Sequence, residues 1–252
     1  MSVALVSDLH ANLEALHALE KDLRAQRVDE ILCLGDVIGY GANPRECLQW
    51  AMERCRLTVL GNHEQAAMYY PEGFNPKARA ALEWTRAQLN DGEAPREENW
   101  KLWGFLGNLP TRVEEGDTLY CHGSPRDPLR EYVLPRDARI PEKVEAIFAA
   151  IPGTLAFIGH SHVPGVFLED GTFLSPRSLE GPYRLPRDRK VLVNVGSVGQ
   201  PRDGDPRLGY ALFDGESVLF RRVPYDCEAA AARIRSTGAL PDFLASRLLV
   251  GK

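Results

Sequence analysis

The stretch Ile31-Leu32-Cys33-Leu34, running into Gly35-Asp36, constrains this chain more than any other. Four apolar residues without alternation predict a strand covered on both faces, as in the centre of a parallel sheet. In such sheets functional groups gather at the strands' carboxyl ends, and here that end is a glycine turn carrying a carboxylate. Four other stretches finish the same way. Val3 to Ser7 runs into Asp8-Leu9-His10, and Leu57 to Leu60 into Gly61-Asn62-His63-Glu64. Leu119 to Cys121 runs into His122-Gly123, and Leu155 to Ile158 into Gly159-His160-Ser161-His162. Five apolar strands thus end in metal-ligating residue types.

The connections complete the pattern. Asn12 precedes Leu13, Leu16, Leu19 and Leu23, spaced at three and four residues, which predicts a capped helix over 12–26 with one apolar stripe. Asn43-Pro44-Arg45-Glu46 reads as a cap, a first-turn proline and a capping-box glutamate, opening a second helix to about Arg54. The resulting β-α-β-α-β opening implies right-handed crossovers and a parallel sheet. Residues 65–109 read as a helical insertion, with Asn75-Pro76 as a second cap-then-proline signal. Its Leu82, Trp84, Leu89, Trp100, Leu102, Trp103 and Phe105 are expected in the core.

Gly116-Asp117 and Asp214-Gly215 mark hairpins over 112–122 and 208–223. A Pro- and Arg-rich loop from Ser124 to Arg139 precedes a helix from Pro141 to Ala150, which Pro152-Gly153 ends, and a second such loop spans 175–189. Val191 to Val195 is a strand leading into the glycine loop 196–205, and Asp226 to Ile234 and Pro241 to Leu249 close the chain as helices. The second half therefore reads as antiparallel in character. We read residues 1–252 as a single α/β domain, without internal repeats, large enough for a full core.

An apolar fraction of 44% with 26% charged residues describes a globular protein, and no apolar run approaches a membrane span. Met1 leads into the first strand without a basic segment or apolar leader, so a cytoplasmic protein with no membrane partner is expected. Five cysteines without CxxC spacing are expected reduced and packed. A net charge of −5 argues against nonspecific nucleic-acid binding, which needs a cationic surface.

Five of the six histidines, His10, His63, His122, His160 and His162, stand beside Asp, Asn or Gly at predicted strand ends. Imidazole with carboxylate suits Mn, Fe, Ni or Zn, and the lack of cysteine among the ligands argues against a structural zinc. His160 and His162 flank one residue, so extended backbone would send both to one side. His17, alone on a helix, reads as structural or solvated.

The order Asp8-x-His10, Gly35-Asp36, Gly61-Asn62-His63-Glu64, His122-Gly123, Gly159-His160-Ser161-His162 resembles the calcineurin-like metallophosphoesterase superfamily, in particular its small bacterial and archaeal phosphodiesterase-like branch. All five blocks occur in sequence between residues 8 and 162. The resemblance implies a four-layer fold, a mixed α/β (α+β) β-sandwich flanked by helices. It implies two divalent transition-metal ions, one held by Asp8, His10 and His162, the other by Asn62, His122 and His160, with Asp36 bridging. Two such cations, roughly 3.5 to 4 Å apart, share a hydroxide that acts as nucleophile in phosphoryl transfer. His63 takes the family's general-acid place, donating a proton to the leaving oxygen.

Departures from the family narrow the substrate. Protein Ser/Thr phosphatases carry Asp and Arg where this chain has Gly39 and Tyr40, and His122-Gly123-Ser124-Pro125 differs from the usual HGG. Arg126 and Arg202, in loops expected at the metal rim, are candidates to grip a phosphate with their guanidinium forks, and Tyr40 is a candidate to stack on a base, as are Tyr69 and Tyr70. Against these stands an arginine excess of 24 over 6 lysines, most of it expected as plain surface. The expected activity is hydrolysis of a small phosphodiester or nucleotide. A dinucleoside polyphosphate hydrolase or phosphoprotein phosphatase is the alternative, and a non-catalytic scaffold of the same fold is opposed by the intact ligand set. No GxxxxGK[ST] loop supports a nucleotide-driven motor or kinase.

Overall fold

A computed structural model describes residues 2–69 and 73–252. Tyr70 lies outside the described residues. Strand β1 (Val3–Val6) lies beside β2 (Glu30–Cys33), and β2 beside β3 (Leu57–Thr58), all parallel, joined through helices α1 (Leu13–Ala25) and α2 (Pro44–Arg54). On its other edge β1 pairs antiparallel with β11 (Leu208–Phe213), followed by β12 (Ser217–Val223) and β9 (Tyr183–Arg184). The first sheet therefore has the order β3-β2-β1-β11-β12-β9. The apolar stretch at Ile31 is interior with parallel neighbours on both sides, but β1 holds the centre.

The second sheet has the order β4-β5-β6-β10-β7-β8. Its strands are β4 (Arg112–Glu115), β5 (Thr118–Cys121), β6 (Leu155–Ile158), β7 (Gly165–Leu168), β8 (Phe173–Leu174) and β10 (Val191–Asn194). The later half of the chain is not simply antiparallel. β10 pairs parallel with β6 and antiparallel with β7, because it enters between them after the chain has passed through β9 of the first sheet. The two predicted hairpins form at their predicted turns.

Unbroken apolar runs suit a layered interior, since successive side chains point to opposite faces. Leu32 and Leu34 join Leu5, Phe157, Val193 and Ala211 between the sheets. Ile31 and Cys33 instead meet Leu16, Leu19 and Leu48 from α1 and α2. Behind the second sheet, Val144, Ile147 and Phe148 of α6 (Pro141–Ala149) cover Leu119, Ala156 and Leu192. Helix, sheet, sheet and helix layers result, with eight α-helices among the described residues.

Local expectations hold with physical exceptions. Asn12 caps α1 by accepting from Ala15 N–H at 3.1 Å. Asn43 does not cap α2; its amide donates to Glu46 Oε1 at 2.8 Å instead. β3 stops at Thr58 rather than Leu60, because Leu60 N–H turns away to the Pro110 carbonyl. Between β3 and β4 lie α3 (Asn62–Met68), α4 (Pro76–Leu89) and α5 (Arg96–Gly107). Leu82, Leu89 and Leu102 there are buried, but Trp100 is 68% exposed, against expectation. The last turns of the chain are α7 (Cys227–Ser236), α8 (Asp242–Ser246) and a 3₁₀ turn over Arg247–Leu249.

Candidate metal centre

The five strand ends meet at one edge of the sandwich. Backbone bonds interlock the loops that leave them: Asp8 N–H to Gly35 O at 3.0 Å, His10 N–H to Asp36 O at 2.9 Å, and Gly159 N–H to His122 O at 3.0 Å. Asp8, His10, Asp36, His160 and His162 all have φ between 46° and 64°. Left-handed backbone at five side-chain-bearing residues is costly, and strain of this kind clusters at functional sites. At Gly35 (φ +87°) a Cβ would sit 2.7 Å from Gly61 N, so these two ligand-bearing loops touch backbone to backbone.

Three groups of buried side chains converge: Asp8 with His10 and His162, His10 with Asp36 and His63, and Asp36 with His122 and His160. His162 Nε2 lies 3.1 Å from Asp8 Oδ1, and His122 Nε2 lies 3.3 Å from Asp36 Oδ2. Asn62 Oδ1 completes the second group, 3.0 Å from His122 Nε2. His63 Nε2 stands further off, 3.9 Å from Asp36 Oδ2, while its backbone N–H donates to Asp36 Oδ1 at 2.9 Å.

The outer nitrogens of the four candidate imidazole ligands all face backbone carbonyls. His10 Nδ1 meets Ile38 O, His122 Nδ1 meets Leu34 O, His162 Nδ1 meets Gln200 O, and His160 Nε2 meets Arg130 O. A carbonyl only accepts, so in each neutral ring the outer nitrogen carries the proton and the inner nitrogen presents a lone pair, the second-sphere arrangement expected of metal ligands. The inner nitrogens nevertheless face one another, His10 and His162 at 3.1 Å and His122 and His160 at 3.1 Å. Asp8 Oδ1 is buried without a hydrogen-bond donor among the described residues. Opposed lone pairs and an orphaned carboxylate oxygen fit cations between them.

The electrostatics agree for the two carboxylates, His160 and His162, while His122 is drawn toward its charged form by Asp36. Burial opposes charge on Asp8 and Asp36, yet the surrounding imidazoles hold both carboxyls well below the ordinary range. Burial also disfavours a charged His122, but the adjacent Asp36 carboxylate prevails and lifts it to about 9. Burial and the neighbouring His122 push His160 down to about 4, and burial with Arg202 pushes His162 down to about 3. Burial likewise lowers His63, whose Nδ1 has no hydrogen-bond partner among the described residues.

Of the proposed substrate contacts, Tyr40 lies inside the site, its ring 4.7 Å from that of His10 and 4.3 Å from that of His63. Arg202 reaches over Tyr40 at 5.8 Å and is steadied by Gln200 Oε1 at 2.7 Å. Arg126 is exposed, with its guanidinium engaged by Glu131. His17 is exposed on α1, as expected, and Tyr69 is exposed beyond α3.

Other residues take roles that the sequence did not assign to them. Glu64 is fully buried and accepts from Asp36 N–H at 2.8 Å, Ile38 N–H at 3.1 Å and Gly61 N–H at 3.0 Å, clamping two ligand loops. Burial and the nearby Asp36 charge raise its carboxyl to about 7. Asn194 donates to Gly159 O at 2.6 Å and Ser161 Oγ at 2.9 Å, bracing the loop of His160 and His162. Its signal was present: a polar residue closing the apolar run Val191-Leu192-Val193. Tyr132, stacked on His160 with ring centres 3.9 Å apart, had no signal in its Pro- and Arg-rich loop.

Comparison with known proteins bears on the whole chain. Residues 1–217 match the calcineurin-like phosphoesterase superfamily domain. The chain belongs to that superfamily. A crystal structure of a metallophosphoesterase from Sphaerobacter thermophilus matches this superfamily member over 100% of both chains, at 38% identity and a TM-score of 0.83. An uncharacterized protein of Methanocaldococcus jannaschii is 36% identical across 99% of this chain and 98% of its own. A hypothetical protein of Pyrococcus horikoshii shares the fold, with a TM-score of 0.74 at 21% identity over 100% of this chain and 98% of that one. No helix among the described residues is long and apolar enough to cross a membrane.

Proposed function

We propose that this phosphoesterase-superfamily chain is a metal-dependent hydrolase of a small phosphodiester or nucleotide. The observation that carries the reading is the set of imidazole lone pairs opposed at 3.1 Å around Asp36 and the orphaned Asp8 oxygen. Asp8, His10 and His162 would hold one divalent transition metal (Mn, Fe, Ni or Zn), and Asn62, His122 and His160 a second, with Asp36 between them. Cations there would supply the Lewis acidity that activates water and offsets charge on phosphate oxygens.

The chain's own groups do the rest. The carbonyls of Leu34, Ile38, Arg130 and Gln200 fix the imidazole tautomers, so the ligand atoms are set before any substrate arrives. His63, which converges with His10 and Asp36 but is in neither proposed ligand set, would hand a proton to the leaving oxygen, a contribution typically worth ~10²–10⁴ in rate. Arg202 forms no ion pair with Asp or Glu among the described residues, leaving its guanidinium for a phosphate oxygen. Arg126 drops out of this role because Glu131 occupies it. A phosphomonoester dianion needs more positive charge than a diester, and Gly39 and Tyr40 supply none where protein phosphatases have Asp and Arg. Diesters are therefore the favoured class.

The test is a panel of phosphomonoesters, aryl diesters, cyclic nucleotides, dinucleoside polyphosphates and phosphopeptides, assayed with Mn, Ni, Mg and Zn alongside elemental analysis. Two metals per chain and the highest kcat/KM on diesters are expected, with activity lost on chelation. Full activity after exhaustive metal removal, or preference for phosphopeptides over every diester, overturns the reading. Preference for dinucleoside polyphosphates moves it to that class.

A further inference from the structure

A cavity of about 300 Å³ opens beside the centre, with Asn62 and His160 at its base. Three aromatic rings line it, and each also rests on a histidine of the site. Tyr132 stacks on His160 at 3.9 Å, Phe74 meets His63 edge-on at 5.1 Å, and Tyr40 meets His63 at 4.3 Å. Tyr132 is 44% exposed, so part of its ring faces outward. The polar part of the lining includes Asn62, Asn75 and His160 together with Gln65 and Arg130, and the side chains of the last two have no hydrogen-bond partner among the described residues.

We infer that this cavity receives the nucleobase of a leaving nucleoside, an inference that rests on the phosphoesterase reading above. Its volume lies at the lower end of the roughly 300–1,000 Å³ of small-molecule pockets, enough for one such group and too small for a folded peptide segment. Aromatic faces bind any planar base by stacking. A plain aryl group would leave the Gln65 amide unanswered, whereas a base edge offers it both donors and acceptors. Arg130 adds a guanidinium plane suited to a π-face. The position fits a leaving group because Phe74 and Tyr40, which wall the cavity, are the rings packed on His63, the proposed proton donor.

A purely structural alternative is that these rings only buttress the imidazoles. The metal-loaded full chain separates the two when given a dinucleotide and its abasic counterpart, in which hydrogen replaces the base on the leaving sugar. We expect a kcat/KM ratio favouring the dinucleotide on the order of tenfold, given the strength of base stacking. Tyr132→Leu and Phe74→Leu, which keep apolar bulk against the histidines, should bring that ratio toward one. If both substrates fall by the same factor and the ratio survives, the rings are buttresses and the inference fails.

A binding arm keeps this outcome separate from that of the proposed activity. Titration of the same protein with adenosine 5′-monophosphate and with ribose 5-phosphate should show a tighter Kd for the nucleotide, on the order of tenfold, reduced in both variants. Equal Kd values overturn the pocket whatever esters are cleaved. Base-dependent binding without hydrolysis of any ester leaves the pocket standing and overturns only the esterase reading.

Discussion

Gly39 packs against the outer nitrogen of His63: a Cβ at position 39 would fall inside the van der Waals envelope of Nδ1. Gly39 also has φ +87°, where an L side chain is strained. A glycine at this position is thus what lets the His63 ring sit where it does. Gly39→Ala should displace that ring while leaving the ligands in place, lowering kcat at least ~100-fold if His63 is the proton donor. Metal content by elemental analysis should stay near that of the unaltered chain. An unchanged kcat would show that the ring's position is immaterial to turnover.

Asp36→Asn and His63→Ala should fail differently. Asp36 faces both ligand groups through Oδ2, so removing its charge should strip metal and activity together. His63→Ala should retain most metal and lose turnover, most severely with poor leaving groups, since a proton donor matters most when the departing oxygen is basic. The slope of log kcat against leaving-group pKa reads this directly. Loss of both metals from His63→Ala would make it a ligand instead.

What the sequence displayed and what it hid divide along one line. The apolar runs and their terminal Asp, Asn and His residues are local, so the strands and the side chains that gather at their ends were legible. Partners chosen by tertiary approach were not. Nothing local says that Leu60 would turn to Pro110, that Trp100 would face solvent, or that Asn43 would spend its amide on Glu46. Arg126 and Arg202 follow similar turns, and only the fold shows that, among the described residues, a carboxylate engages the first and not the second. Phe74 and Tyr132 come together from segments far apart in sequence.

Glu64 invites a test of the clamp between ligand loops. Its two carboxylate oxygens take three backbone N–H groups, whereas glutamine offers a single oxygen. Glu64→Gln must turn an NH₂ toward a buried N–H, at a cost of about 1–3 kcal/mol. Urea unfolding of the metal-free protein should show that loss. Metal affinity should fall by ~10-fold or more, as for other outer-sphere changes. Unchanged stability and affinity together would mean that the loops hold their spacing without it.

Asp22 ties helix α1 to the first sheet from outside the site, and its ionisation predicts a pH dependence of folding. Its carboxylate accepts from Arg221 at 2.8 and 3.1 Å and from the Tyr210 hydroxyl at 2.6 Å. Partial burial alone would raise its pKa, but these donors outweigh burial and hold it below 3.8. A carboxyl lowered on folding contributes stability that is fully present above its unfolded pKa and is lost as pH falls through the folded value. Asp22→Asn should therefore destabilise the protein by about 1 kcal/mol at neutral pH, a figure kept small because Arg221 is partly in solvent. Urea midpoints of the two proteins should converge as the pH is lowered through the carboxylate range. A gap that stays constant over that range would assign the loss to packing of the side chain and not to its charge.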